Sequence, residues 1–397
     1  MVELSVALYD ADNHYYEPVD CFVRHMAPDR AGRAFQLATI DGVERPVVNG
    51  RAVNVMAPGG FFVGETARPG SLRELMAAIK KGGTLANGGS PLVGPIDPAA
   101  LNRDRRIELL DRQGVQATWM FPSTAVTVEP AFGGDADLLW DNFRAFNRWL
   151  DEDWGLGAQG RIYSAPLISL CDRSAACAEL DWAIERGCRV IALSPGPAAG
   201  RSPADPYFDP FWARMNDARV VCALHIGDAG YNARLSTDWG ERTDPAAYEQ
   251  SAFQWTHHMG DRPVMETISA LIYGNVFGRF PHVRVASVEN GSLFVDYLLR
   301  LMDKMVGMAR GATWPGGRLS DKPSAIFRHH VYVAPFHEED IRSLAELIGP
   351  ERVLFGSDWP HPEGLAEPAD FIDGLGAMSE GDKDLIMGTN LASLLAN

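Results

Sequence analysis

The chain has no Cys-x-x-Cys pair, no cluster of Lys or Arg, and no long apolar run. Its five cysteines, Cys21, Cys171, Cys177, Cys188 and Cys222, are odd in number and scattered, which excludes a small disulfide scaffold and fits reduced thiols. Cys188 and Cys222 begin or lie within apolar, strand-like runs and read as core. No apolar stretch approaches the ~18 to 20 residues that a membrane helix needs. The segment Met1 to Tyr9 lacks the basic start of a secretion signal, so the expectation is a soluble, cytoplasmic protein. Against 52 Asp and Glu there are only 36 Lys and Arg, a net charge of −16. A nucleic acid or an anionic membrane is therefore excluded as a partner. A small anionic substrate is not, because one bound metal or one placed Arg controls the field inside a pocket.

The 397 residues are 46% hydrophobic and 10% aromatic, enough to bury a substantial core. Short β-branched runs alternate with segments of helical period. The runs are Leu4 to Tyr9, Val115 to Phe121, Arg161 to Ile168, Cys188 to Leu193, Arg219 to Leu224, His282 to Val288, His330 to Ala334 and Arg352 to Phe355. Strands separated by helices pair in parallel through right-handed crossovers, and eight such units close on themselves. The expected fold is an α/β (β/α)8 TIM barrel formed by residues 1–397 as a single domain; a doubly wound open sheet is the alternative. Two connections are oversized, roughly 35–97 after strand one and roughly 226–281 after strand five. Both leave a strand's C-terminal end, where barrels place their active sites, and are expected to form lids or pocket walls.

Candidate chemistry gathers at those strand ends. In Asp10-Ala11-Asp12-Asn13-His14, residues two apart share a strand face, so Asp12 and His14 point the same way. A carboxylate and an imidazole together suit zinc or a similar ion, although a strand end also uses Asp and His as turn formers. His225 follows the apolar run Val221 to Leu224, and Glu289 follows Val285 to Val288. A carboxylate there is costly unless it is paired, bound to a metal or capping the next helix. Gly356-Ser357-Asp358-Trp359-Pro360-His361-Pro362-Glu363 places an Asp, a His and a Glu in six residues, too much chemistry for a turn alone. Gly155 to Gly160 spells G-x-G-x-x-G but follows a helix and precedes a strand, the reverse of a dinucleotide turn. There is no Walker A sequence, no G-x-S-x-G and no His-Glu-x-x-His. His257-His258 and His329-His330 are neighbours whose side chains diverge, so at most one of each pair could face a site.

Asp10-x-Asp12-x-His14, the His closing strand five, Phe280-Pro281-His282-Val283-Arg284-Val285 leading to Glu289-x-Gly291, and Gly356-Ser357-Asp358-Trp359-Pro360-His361 resemble the amidohydrolase-related family of metal-dependent barrels. That family includes aminocarboxymuconate-semialdehyde decarboxylase, γ-resorcylate decarboxylase and related lyases and hydrolases. The resemblance implies a divalent metal held by Asp12, His14, His225 and Asp358, with Zn2+ placed first and Mn2+ second. At the position of Glu289 the decarboxylases have a His, and this chain departs from them. Asn13 and Glu17 are read as groups supporting the ligands.

The leading expectation is a metal-dependent hydrolase in which Asp358 takes a proton from a metal-activated water. Glu289 would be a second acid or base, and His361 would contact substrate or steady Asp358. The alternative keeps the site and makes the enzyme a non-oxidative decarboxylase or hydratase. A barrel that binds without catalysis is the third reading. The partner is a small, carboxylate-bearing or aromatic molecule, suggested by Phe61, Phe62, Met76, Phe253, Trp255 and Met259. Arg45, Arg51 and Arg68 are charges of the first long connection, read as solvated or as meeting a carboxylate. A homodimer or larger homo-oligomer is expected from the resemblance.

Overall fold

A computed structural model describes residues 6–55, 65–80, 92–246 and 249–396. Phe61 and Phe62, and the first two residues of the expected first strand, lie outside the described residues. The barrel strands are β1 (Leu8–Asp10), β2 (Val115–Pro122), β3 (Ile162–Ser164, resuming as Leu167–Ile168), β4 (Val190–Leu193), β5 (Val221–His225), β6 (Arg284–Val288) and β7 (Val331–Ala334). All pair in parallel with their sequence neighbours, in registers such as Leu8↔Val115, Thr118↔Ile162, Leu167↔Ala192, Cys222↔Val285 and Val285↔Val331. Nearly every residue of these strands is buried, because side chains of one face fill the barrel and those of the other meet the helices.

The helices between them include α1 (Arg103–Gln113), α2 (Ala136–Asp153), α3 (Arg173–Ile184), α4 (Asp209–Ala218), α5 (Arg262–Tyr273), α6 (Phe294–Met308), α7 (Pro323–His330) and α8 (Ile341–Ile348). Polar side chains set several starts: Asn102 caps α1, Asp135 caps α2, Asp172 caps α3 and Asp340 caps α8. Gly114, at φ 71°, ends α1 and turns the chain directly into β2. Cys188 and Cys222 are core residues, and all five cysteines are unpaired thiols. Gly155 to Gly160 links α2 to β3.

Two expected strands differ. The run Arg161 to Ile168 breaks at Ala165-Pro166, since proline has no N–H to give a ladder. The run Arg352 to Phe355 is no regular strand. A 3-10 turn occupies Pro350–Arg352, followed by an extended segment with a single bridge, Val333↔Val353. Its polar groups are taken elsewhere: Phe355 N–H donates to Ile386 O, and Asn390 Nδ2 donates to Val353 O and Pro350 O. The segment still closes the barrel, through Leu354 N to Val333 O on one side and Ala11 N to Phe355 O on the other.

Between β1 and α1 the described chain forms an antiparallel sheet of Gln36–Ile40, Val43–Val48 and Arg51–Ala52, then a pair formed by Glu65–Ala67 and Val93–Pro95. Between β5 and β6 lie short helices such as Tyr231–Leu235 before α5. Among the described residues no helix is long and apolar enough to cross a membrane.

Candidate metal centre

Beyond Asp10 the chain stays extended, and His14–Tyr15 pairs with the end of β2 at Phe121 and Pro122. The segment after Phe355 runs beside it: Asp358 N–H donates to Asp12 O at 2.8 Å and His14 N–H to Trp359 O at 2.7 Å. Asp12, His14 and Asp358 are thereby brought to one side of the barrel mouth, and His225 and Glu289 reach it from the ends of β5 and β6.

The reacting atoms converge. Asp12 Oδ1 lies 3.2 Å from His14 Nε2 and 3.4 Å from His225 Nε2. Glu289 Oε2 is 3.4 Å from His225 Nε2, and Asp358 Oδ1 is 3.3 Å from His14 Nε2. One ligand atom from each of Asp12, His14, His225 and Glu289 fits within 4.8 Å of the others, while Asp358 joins His14 and His361 in an adjoining group. The first group thus holds Glu289 where the resemblance implied Asp358. Asp358 and Glu289 both have left-handed backbones, φ 55° and 56°, an uncommon conformation outside glycine that re-aims each carboxyl at the mouth.

This donor set fits a divalent cation. Asp12 Oδ1 is buried and accepts no hydrogen bond despite two imidazole nitrogens nearby, which leaves it available to an ion. His225 Nδ1 donates to Ile226 O at 2.8 Å, which leaves Nε2 bare as a ligand. Burial pushes Glu289 well above the ordinary carboxylate range, helped by the charges of Asp358 and Asp12. Burial and Asp12 do the same to Asp358. Burial would also raise Asp12, but the imidazoles of His14 and His225 beside it hold it below its usual range. His14 is lowered to about 3 by burial and by His361. Three carboxyls therefore compete for one place, and a cation would favour the ionised form of those it binds.

His361 lies beside this group. Its Nδ1 is 2.6 Å from Asp358 Oδ1 and its Nε2 is 2.8 Å from Ser123 Oγ. Phe121 packs on His225 at 4.8 Å between ring centres. Asn13 supports the ligands through Asp10 and Ser357. Glu17 does not: its Oε1 accepts N–H bonds from Thr124 and Ala125. His258 bonds Asn232 and Ser236, and His330 bonds Val283 O and stacks on Phe277, so both are structural. Met259 is core, whereas Met76 and Trp255 are exposed.

Two supports went unread in the sequence. Asp10 is fully buried and accepts bonds from Ser357 N (3.0 Å), Ser357 Oγ (2.5 Å) and Asn13 Nδ2 (2.9 Å), with its pKa raised to about 6 by burial. Arg106, also fully buried, donates to Ala99 O, Asn13 Oδ1 and His14 O, and its guanidinium stacks 4.2 Å from the Trp359 ring centre. Its place on α1 was a usable signal, because Arg106 shares the buried face of Leu109 and Leu110.

The amidohydrolase family model matches residues 96–395. A solved amidohydrolase of Mycobacterium avium subsp. paratuberculosis K-10 is 32% identical, covering 99% of this chain and 100% of its own, with a TM-score of 0.85. A dihydroxybenzoic acid decarboxylase of Polaromonas sp. JS666, solved with manganese and the inhibitor 2-nitroresorcinol, shares the fold. It has 20% identity over 75% of this chain and 87% of its own, with a TM-score of 0.58. The 2-amino-3-carboxymuconate-6-semialdehyde decarboxylase of Dictyostelium discoideum is 27% identical over 128 residues, 32% of this chain. The match spans about a third of that relative's length, 35%. A TIM barrel with a cation-fitting cluster at its strand ends, a family match over three quarters of its length and a full-length relative together establish that this chain belongs to the amidohydrolase family of enzymes.

Proposed function

We propose that the enzyme is a metal-dependent, non-oxidative decarboxylase acting on an aromatic or unsaturated carboxylate. The decarboxylases among the relatives favour carbon–carbon cleavage over the hydrolysis first expected from the sequence. The observation that carries the reading is the presence of two further acids, Glu289 and Asp358, beside Asp12, His14 and His225: one completes the cation's ligand set and the other is left to carry a proton. Replacing CO2 on carbon requires a proton donor at the moment the bond breaks, and the acid that does not bind the cation supplies it.

Asp12, His14 and His225 would hold the divalent cation, with Asp358 or Glu289 completing the set. When bound, the cation supplies charge neutralisation for the substrate carboxylate and its neighbouring oxygen. Asp358 or Glu289 delivers the proton to the carbon bearing the carboxylate, the C–C bond electrons stay with that carbon, and CO2 departs. His361, fixed between Asp358 and Ser123, orients the Asp358 carboxyl. Phe121 excludes water beside His225. The two long connections form walls of the substrate pocket.

The test is an assay of enzyme loaded with Mn2+ or Zn2+ on hydroxylated aromatic carboxylates beside esters, lactones and amides. One CO2 per decarboxylated product is expected, and Asp358→Asn lowers that rate by about 10²-fold or more. Hydrolysis of an ester, lactone or amide without CO2 release would replace this reading with a hydrolase.

A further inference from the structure

A cavity of about 180 Å³ lies over the ends of β3, β4 and β5, walled in part by Glu129, Ser169, Ser194 and Arg234. A smaller void shares Glu129, Leu193 and Ser194 with it and has one candidate ligand, His225, on its wall. Arg234 comes from the long connection after β5.

Arg234 is an exposed residue, but the inner side of its guanidinium has fixed neighbours. It donates to Ala229 O and lies 4.9 Å from the Tyr231 ring centre, and the Tyr231 hydroxyl is itself tied to Glu266 Oε2 at 2.6 Å. Gly196 and Gly230 flank it with φ of 112° and 71°. A Cβ on Gly196 would stand 3.2 Å from Arg234 Nη2, and one on Gly230 3.6 Å from Nη1. The chain is thus bare of side chain where the guanidinium sits. Yet among the described residues no carboxylate forms an ion pair with Arg234. The two acids that feel its charge are committed elsewhere, Glu129 to the Ser169 hydroxyl at 2.6 Å and Asp228 to Gly230 N–H at 2.8 Å. A positioned guanidinium with free donors on a cavity wall is the chemistry that recognises a carboxylate.

We propose that Arg234 is a specificity-determining residue that binds a second anionic group of the substrate, a carboxylate remote from the one that is lost. The inference rests on the decarboxylase reading for which carboxylate reacts, but the binding subsite stands on its own geometry. Substrates carrying two carboxylates are bound in preference to those carrying one, and the Glu129–Ser169 pair meets a polar group on the same arm.

The test is calorimetric binding of isophthalate, terephthalate and benzoate to the metal-loaded enzyme and to Arg234→Gln and Arg234→Lys. At least one dianion is expected to bind tenfold or more tighter than benzoate. Arg234→Gln abolishes that preference and leaves benzoate binding unchanged. Arg234→Lys, which keeps the charge and the apolar stem, retains part of the preference and serves as the readout should Arg234→Gln fail to fold. The proposal is overturned if neither dianion is preferred, or if the variants weaken all three ligands equally. Failure of the decarboxylase reading shows differently, as an absence of CO2 release with Arg234-dependent dianion binding intact.

Discussion

Glu17 is a buried carboxyl outside the metal centre. Its Oε1 accepts two backbone N–H bonds and its Oε2 is buried without a partner. Burial outweighs those bonds and raises its pKa from 4.5 to about 7. The folded state therefore holds this proton more tightly than the unfolded chain does. The stability it lends is complete below pH 4.5, falls as the pH rises through the window to about 7, and is then lost. The difference sets an upper bound of roughly 3 kcal/mol. Glu17→Gln keeps an oxygen for Thr124 and Ala125 and never ionises. It is expected to match the parent in urea denaturation at pH 4.5 and to exceed it at pH 8 by up to that amount. An equal offset at both pH values would show that ionisation of Glu17 does not matter.

At the scale of elements, α1 is joined to the mouth of the barrel by Arg106. One guanidinium spans Ala99 O before the helix and Asn13 Oδ1 and His14 O after β1, so the backbone carrying two candidate ligands rests on it. Arg106→Met removes the donors and leaves three buried acceptors unpaired, with an expected loss of about 3 kcal/mol or more. Arg106→Lys recovers little, since an ammonium cannot reach three acceptors from a planar fork. Paired urea denaturation and metal affinity measurements check this, and a loss confined to stability with metal affinity intact would detach Arg106 from the centre.

The same elements show what was legible beforehand. Val115 to Phe121 and Cys188 to Leu193 announced themselves as strands because buried parallel strands are apolar on both faces. The eighth differs because Phe355 N–H and Val353 C=O are taken by Ile386 and Asn390, partners that no local pattern reveals. Asp12, His14, His225, Glu289, Asp358 and His361 were readable because each follows an apolar run at a strand end. Asp10 and Ser357 lie in the quoted motifs, but their pairing was not legible because a hydrogen bond across 347 positions leaves no trace in spacing.

At the scale of the whole molecule, net charge and metal binding meet. The chain carries −16, and at the barrel mouth that surplus is concentrated into Asp12, Glu289 and Asp358 around two imidazoles. Without a cation, burial and repulsion favour the protonated forms of Glu289 and Asp358; a cation entering must displace the proton of the one it binds. Metal binding therefore releases protons and strengthens as pH rises. Protein stripped with chelator and titrated with Mn2+ or Zn2+ should gain roughly 3 kcal/mol once free metal reaches 100 times its Kd. For a chain of 397 residues that is a rise of a few degrees in Tm. At equal metal concentration the rise should be larger at pH 8 than at pH 5.5, and Asp12→Ala should remove it at both while leaving the metal-free Tm unchanged or higher, since one of three competing carboxyls is gone. A rise independent of pH, or one that survives in Asp12→Ala, would place the cation elsewhere on this acidic surface.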